Sequence, residues 1–291
     1  MREGRIRLRD GRTLAYMQCG PRQGTPFLYC HGFPGSRLEA RFATAAALRH
    51  GVRLIAADRP GFGGSDHQPH RRILDWPDDA LELAQHLGVQ RFGVLAVSGG
   101  APYALACARK LPAQVTRVGI VCGVAPDTPA RDATTPAPER TALTLVRRVP
   151  GASRPLCAVT RAAIRHLPTL IVGLLGTSPA DEAVLAQTGV RRELVRSMQE
   201  AFRRGSAGPA RDLLLLTRDW GFRPEEIDTH VDLWHGELDR VVPASATRWH
   251  ERRLPHCTAR YYAKDAHYSI IFDHIEEIFT EIARSRTPIS A

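Results

Sequence analysis

The stretch Leu95-Ala96-Val97-Ser98-Gly99-Gly100-Ala101 sets a serine between an apolar run and a segment of helical periodicity. A chain that leaves a strand and enters a helix this quickly must turn tightly. The residues two before and two after the serine must then be small, or they collide with the neighbouring strand and helix. Ala96 and Gly100 meet that condition. A serine so placed projects at a helix N-terminus, where the dipole favours developing negative charge, as a nucleophile requires. The structural alternative is a helix N-cap serine beside a flexible Gly-Gly pair. Other chemistry-bearing residues also follow apolar runs: His31 in Cys30-His31-Gly32-Phe33-Pro34-Gly35, Asp239 in His235-Gly236-Glu237-Leu238-Asp239, and His267 in Asp265-Ala266-His267-Tyr268-Ser269. A serine, a carboxylate and an imidazole are the parts of nucleophilic acyl transfer.

Positioning such residues takes a rigid scaffold. Residues 5–18 read as a hairpin with Asp10-Gly11 at its turn. Short apolar runs then alternate with helical patterns. Strands are predicted at 26–30, 53–57, 91–97 and 115–122, and helices at about 36–50, 75–87 and 100–111. This alternation implies a mostly parallel sheet covered on both faces by helices. The rhythm breaks after Ala125. Pro126, Pro129, Pro136, Pro138, Pro150 and Pro155 exclude one long helix over 126–155, and a helical pattern returns most clearly at 181–204. Strand alternation resumes near 230–235, followed by a helix at about 244–254, a strand at 259–263 and a final helix at about 269–284. Residues 1–125 and 228–291 are therefore expected to form the core domain, with 126–227 inserted as a helical cap, or lid.

Composition narrows the classes of function. The chain has 291 residues, 43% of them hydrophobic and 24% charged, which suits one folded α/β domain with an insertion. Its formal charge of +10 is almost all arginine, scattered as singles and doublets, with lysine only at Lys110 and Lys264. No recognition motif accompanies that charge, so no nucleic-acid partner is expected. The six cysteines show no C-x-x-C pair, which argues against a disulfide framework or a zinc site. No apolar stretch reaches the ~20 residues that span a bilayer, and the N-terminus has no apolar signal core, so a cytoplasmic protein without a membrane partner is expected. Oligomeric state is not legible.

The segment around Ser98 resembles the nucleophile elbow Gly-x-Ser-x-Gly of α/β-hydrolases, with Ala96 replacing the first glycine. Cys30-His31-Gly32-Phe33 resembles their His-Gly stretch, which implies backbone oxyanion donors at Phe33 and Gly99 and a structural His31. Asp58-Arg59-Pro60-Gly61-Phe62-Gly63-Gly64-Ser65 is similar to the family's Asp-x-Pro-Gly-x-Gly-x-Ser loop. Containing Pro60 and lacking a Gly-Lys-Ser/Thr ending, it is not a phosphate loop. His235-Gly236-Glu237-Leu238-Asp239-Arg240-Val241-Val242-Pro243 resembles the acid loop. His267 stands where the family places its histidine, although Asp265 departs from the usual glycine. The order Ser98, Asp239, His267 matches that of the family. Residues 5–125 and 225–285 carry the likeness, which is nearest to lid-bearing serine hydrolases of the esterase or peptidase-like type.

The resemblance implies the α/β-hydrolase fold, a mostly parallel eight-stranded sheet flanked by helices, with an inserted helical lid. In that reading His267 takes the proton of Ser98, Asp239 orients the imidazole, and an acyl-enzyme forms on a small-molecule acyl substrate. No metal or organic cofactor is required. Asp127 is the fallback acid. Tyr268 and Trp220 are candidate binding residues, Trp220 reading first as hinge packing where the lid returns to the core, and the carboxylates Glu139, Asp181, Glu182, Glu193 and Glu200 are either ammonium ligands of a peptidase or a solvated helix face. A serine at 98 disfavours the aspartate-based opening of epoxides. A carbon–carbon bond hydrolase or a cofactor-free tailoring enzyme would use the same triad, and a non-catalytic ligand-binding protein would share the fold alone.

Overall fold

The computed structural model describes residues 1–126, 134–176 and 178–284. Its sheet has eight strands in the order β1-β2-β4-β3-β5-β6-β7-β8. The hairpin of β1 (Arg2–Arg7) and β2 (Thr13–Cys19) is antiparallel and β2 joins β4 (Val52–Ala57) in the same sense. β3 (Thr25–Cys30), β4, β5 (Phe92–Val97), β6 (Val115–Val121), β7 (Val231–Gly236) and β8 (Cys257–Tyr262) pair in parallel. The interior strands β5 and β7 are buried along their whole length, β5 as a continuous apolar run and β7 with Asp232 and His235 buried and hydrogen-bonded. The edge strand β1 carries Arg2, Glu3, Arg5 and Arg7 on a largely exposed ladder, which discourages pairing with another sheet.

Two apolar layers enclose the sheet. On one face α2 (Trp76–His86) and α3 (Ala101–Lys110) contribute Trp76, Leu83, Tyr103 and Leu105. On the other, α1 (Thr44–Arg49) and a C-terminal helix contribute Ala46, Ala47, Ile278 and Phe279. Two predicted elements are interrupted. The segment 36–50 forms a 3-10 turn at Arg37–Arg41 ahead of α1, and the final helix divides at His274.

Between β6 and β7 the described residues form α4 (Ala137–Arg148), α5 (Ser153–His166), α6 (Pro168–Leu174), α7 (Pro179–Ala186), α8 (Thr188–Ala201) and α9 (Ala207–Leu216). The helical pattern at 181–204 is thus two helices, broken at Gln187, whose backbone is extended. These helices own a third apolar cluster, with Val146, Cys157, Ile164, Leu194, Met198 and Phe202 at its centre. After them, α10 (Ser245–Glu251) links β7 to β8, and α11 (Ser269–Asp273) and α12 (Ile275–Ala283) close the chain.

A buried charge network fastens these helices to the sheet. Asp212 of α9 is fully buried and takes Arg59 on Oδ2 at 2.8 Å, while Oδ1 takes Arg71 and, at 2.5 Å, the hydroxyl of Tyr103. Burial opposes its ionisation, but the two guanidiniums win and hold its pKa at about 2. Asp212→Asn leaves two buried cations short of a partner and is expected to cost about 3–5 kcal/mol in urea unfolding. Because the folded pKa lies below the ordinary 3.8, the native advantage is complete above that value and shrinks as pH falls toward 2. Unfolding curves of the two proteins that stay equally far apart at pH 3 and pH 7 would contradict it.

Candidate active site

β5 ends at Val97, and Ser98 takes a left-handed backbone with φ of 52° before the chain enters α3. Non-glycine residues adopt this region rarely, and it is held here by close packing. A Cβ on Gly100 would lie 2.1 Å from the carbonyl oxygen of Cys30, and Ala96 is fully buried. The small residues flanking the serine are therefore dictated by contact, as the spacing predicts. The N-cap alternative for Ser98 is not what the chain adopts. The cap position of α3 is Gly100, the residue before the 3-10 turn is Val97, and neither makes a side-chain cap.

The His-Gly loop packs directly against this turn. A Cβ on Gly99 would meet Phe33 Cβ at 2.9 Å and Phe33 N at 3.3 Å, so the two amide-bearing residues named from the sequence are neighbours. His31 is fully buried. Its Nδ1 lies 2.9 Å from the Gly32 carbonyl, and its Nε2 accepts the Arg59 amide at 3.3 Å. Burial, reinforced by the charge of Arg59, pushes its pKa well down, so the ring is neutral and pins the loop. Arg59 further donates to the carbonyls of His31 and Gly32.

The acid and the histidine come from the far ends of β7 and β8. His267 Nδ1 is 2.7 Å from Asp239 Oδ2. The other carboxylate oxygen accepts the amides of Val241 at 2.9 Å and Val242 at 2.8 Å. Burial opposes ionisation of Asp239, but the attraction of His267 and hydrogen bonds from His235 and His267 hold its pKa well below the carboxylate range. The two loops are also tied directly, since Leu238 N–H donates to the Asp265 carbonyl at 2.9 Å. Asp265 itself turns away and pairs with His274 at 3.0 Å. The fallback acid, Asp127, lies outside the described residues.

Cys122, His235 and Asp239 lie close enough together for a metal site. Their donor atoms are already engaged, however. His235 bonds Thr247 and the Val242 carbonyl at 2.7 Å each, and Asp239 is committed as above. The set suits a hydrogen-bonded acid loop better than a cation.

Ser98, His267, Phe33 and Tyr268 line one cavity of about 310 Å³, walled by apolar side chains that include Phe42, Leu143, Leu156, Leu194, Met198 and Ile271. That size suits a small organic molecule. The ring of Tyr268 stands edge-on to His267, with centroids 5.2 Å apart. Trp220 corrects an expectation, since it does not line the cavity. Trp220 is 3% exposed, packs in the apolar cluster that covers one face of the sheet and stacks on His250 at 5.9 Å.

Two acidic residues have roles the sequence does not disclose. Asp181, read as one of a set of helix carboxylates, is fully buried. Its Oδ1 accepts the amides of Tyr268 at 2.8 Å and Ser269 at 2.9 Å, bracing the turn after His267. Glu193 and Glu200 pair with Arg41 and Arg37. None of Asp181, Glu182, Glu193 and Glu200 lines the cavity, and the side chain of Glu139 lies outside the described residues, whereas Glu39, which no motif marks, lines it.

Residues 25–165 match the model of a family described as alpha/beta hydrolase fold. A non-heme chloroperoxidase of Streptomyces lividans is 32% identical over 127 residues, 42% of this chain and 45% of the relative. A proline iminopeptidase of Xanthomonas citri is 34% identical over 114 residues, 36% of this chain and 34% of the relative. Each alignment thus spans less than half the length of the relative. Among solved structures, a thermophilic esterase from Thermogutta terrifontis superposes with a TM-score of 0.70 at 20% identity, covering 97% of both chains.

The packing around Ser98 generates a test. Gly100→Ala drives a methyl into the Cys30 carbonyl, where the backbone cannot yield, and is expected to cost at least ~1–3 kcal/mol. Gly151→Ala, with nothing within 4 Å of the new methyl, is expected to leave the melting temperature unchanged. Equal melting temperatures for both variants would show that the turn has room to spare.

Proposed function

This chain is an α/β-hydrolase-fold protein, and on that premise we propose that it is a serine hydrolase cleaving an acyl bond of a small, largely apolar molecule. Ser98 is the nucleophile, His267 the base that takes its proton, and Asp239 the acid that orients the imidazole and stabilises its cation. The backbone N–H groups of Phe33 and Gly99 receive the oxyanion of the tetrahedral intermediate. The carbonyl carbon bonds to Ser98 Oγ, the leaving group departs with the proton from His267, and water then cleaves the acyl-enzyme. Residues 126–227 act as a cap over a core built from 1–125 and 228–291.

The observation that carries this reading is the 2.7 Å bond between His267 and the buried carboxylate of Asp239, with His267 opening onto a cavity shared with a serine of left-handed backbone. A buried carboxylate kept charged beside an imidazole is the electrostatic arrangement that makes the ring a base. The apolar walls favour an ester or thioester of an apolar acid over a highly charged substrate. The triad would equally serve carbon–carbon bond hydrolysis. The relatives named above, a chloroperoxidase and an iminopeptidase, have different activities, so shared ancestry does not choose among reactions.

A fluorophosphonate probe is expected to add once to the native protein, on Ser98, as read by intact mass and peptide mapping. Ser98→Ala is expected to abolish the adduct, and His267→Ala and Asp239→Asn to slow it by ~10²–10⁴ while the proteins stay folded by circular dichroism. A folded native protein that takes no label, or takes it elsewhere, would overturn the assignment of the nucleophile.

A further inference from the structure

Among the described residues that line the cavity, Glu39 is the one carboxylate. It belongs to the 3-10 turn that follows the His-Gly loop and reaches back beneath that loop. Its Oε2 accepts the Gly32 amide at 2.7 Å and lies 3.4 Å from the Tyr29 hydroxyl. Its Oε1 has no hydrogen-bond partner among the described residues. Two glycines make room for that oxygen. A Cβ on Gly35 would fall 1.8 Å from it, and a Cβ on Gly32 would lie 3.4 Å from it and 3.6 Å from Ser98 Cβ. The carboxylate and the nucleophile therefore face each other across the edge of Gly32.

Holding the Gly32 amide requires one acceptor oxygen, which an amide side chain would also provide. A carboxylate brings a second oxygen and a charge into apolar surroundings, at a cost that falls when a donor meets it. Resting on the serine-hydrolase reading, we propose that Glu39 is a specificity-determining residue, whose Oε1 accepts a hydrogen bond from a hydroxyl or ammonium on the acyl part of the substrate, a few bonds from the scissile carbonyl. The preferred substrate is then an apolar acyl compound carrying one donor group near its reacting end. Such recognition needs none of Asp181, Glu193 and Glu200 on α7 and α8, which are committed elsewhere.

The electrostatic surroundings agree. Burial pushes Glu39 up to about 7, against the opposing hydrogen bond from Gly32 and the charge of Arg59. Tyr29 and His267, the other titratable groups facing it, act in the same lowering direction. Its accepting, anionic form grows as pH rises through 7.

The test measures how fast Ser98 is labelled by three phosphonate probes of equal length. One has a plain alkyl chain, one a hydroxyl and one an ammonium two carbons from phosphorus. Native protein is expected to react at least ~10-fold faster with one of the donor-bearing probes than with the plain one. That preference is expected to grow between pH 6 and pH 8. Glu39→Gln, which keeps an acceptor for Gly32 but turns an N–H toward the cavity, is expected to erase it and leave the plain probe within ~3-fold of native. Equal rates for all three probes on native protein would overturn the inference while leaving the nucleophile intact. So would a variant slowed equally with every probe, which would mark Glu39 as a loop-positioning residue only. Native protein labelled by none of them would overturn this inference and the serine-hydrolase reading together. The native comparison needs no substitution, so a variant that fails to fold does not spare the inference.

Discussion

A guanidinium that is 1% exposed must be hydrogen-bonded on every side, and Arg59 finds its partners in separate parts of the chain. It donates to the carbonyls of His31 and Gly32 in the loop after β3, and it pairs with Asp212 on α9. Arg71 and Tyr103 complete the cluster, the Tyr103 hydroxyl accepting from Arg71 at 2.9 Å and donating to Asp212 at 2.5 Å. The cationic side chain sits 4.6 Å from the Tyr103 ring centroid, adding a favourable face contact. One network thus fixes the His-Gly loop, α3 and a helix of the β6–β7 segment relative to each other. The loop that bears Phe33 is held by this cluster, none of whose charged groups lines the cavity, and by Glu39, which does.

The second constraint is steric. Ser98 keeps its left-handed backbone because the atoms around it admit no alternative: the Cys30 carbonyl crowds Gly100, and Phe33 crowds Gly99. These contacts also bring the Phe33 and Gly99 backbones together, so strain at the serine and the placing of the amides share one cause. On the opposite side the histidine loop is held without strain. It is anchored by the Asp265 carbonyl, by Asp181 and by the Ser269 hydroxyl, which accepts the Ala266 amide at 2.7 Å. Asp181 belongs to α7, so the helices between β6 and β7 touch the site at both the His-Gly loop and the histidine loop. Any movement of those helices would be felt at both.

The cavity joins an apolar interior to a short polar end. Apolar walls provide affinity that is weakly selective, because burial is non-directional. Directional contacts can come only from the few polar groups of the lining, among them Glu39, Ser98, Thr160 and His267. The described residues contain no helix long and apolar enough to cross a membrane.

Much of the architecture is legible in the sequence because it follows from local patterns. The continuous apolar run of β5, the Asp10-Gly11 turn and the proline-dense stretch after Ala125 each reflect a short-range constraint of burial or backbone geometry. Ser98, Asp239 and His267 stand out because each lies at a strand end in a short motif, and the fold brings His267 and Asp239 into contact and opens His267 onto one cavity with Ser98. What the sequence hides depends on partners far along the chain. Glu39 has no motif, and its place is set by Gly32 and Gly35 in three dimensions. Asp181 resembles any acidic residue in a first helical turn until α11 is packed against it. Trp220, aromatic and near the return to the core, reads as hinge packing before cavity wall, and its packing against His250 decides for the former. Residue type and spacing determined which chemistry this chain could hold. Tertiary packing decided which carboxylates face the cavity, because burial and long-range contact, unlike strand and turn propensity, leave no local pattern.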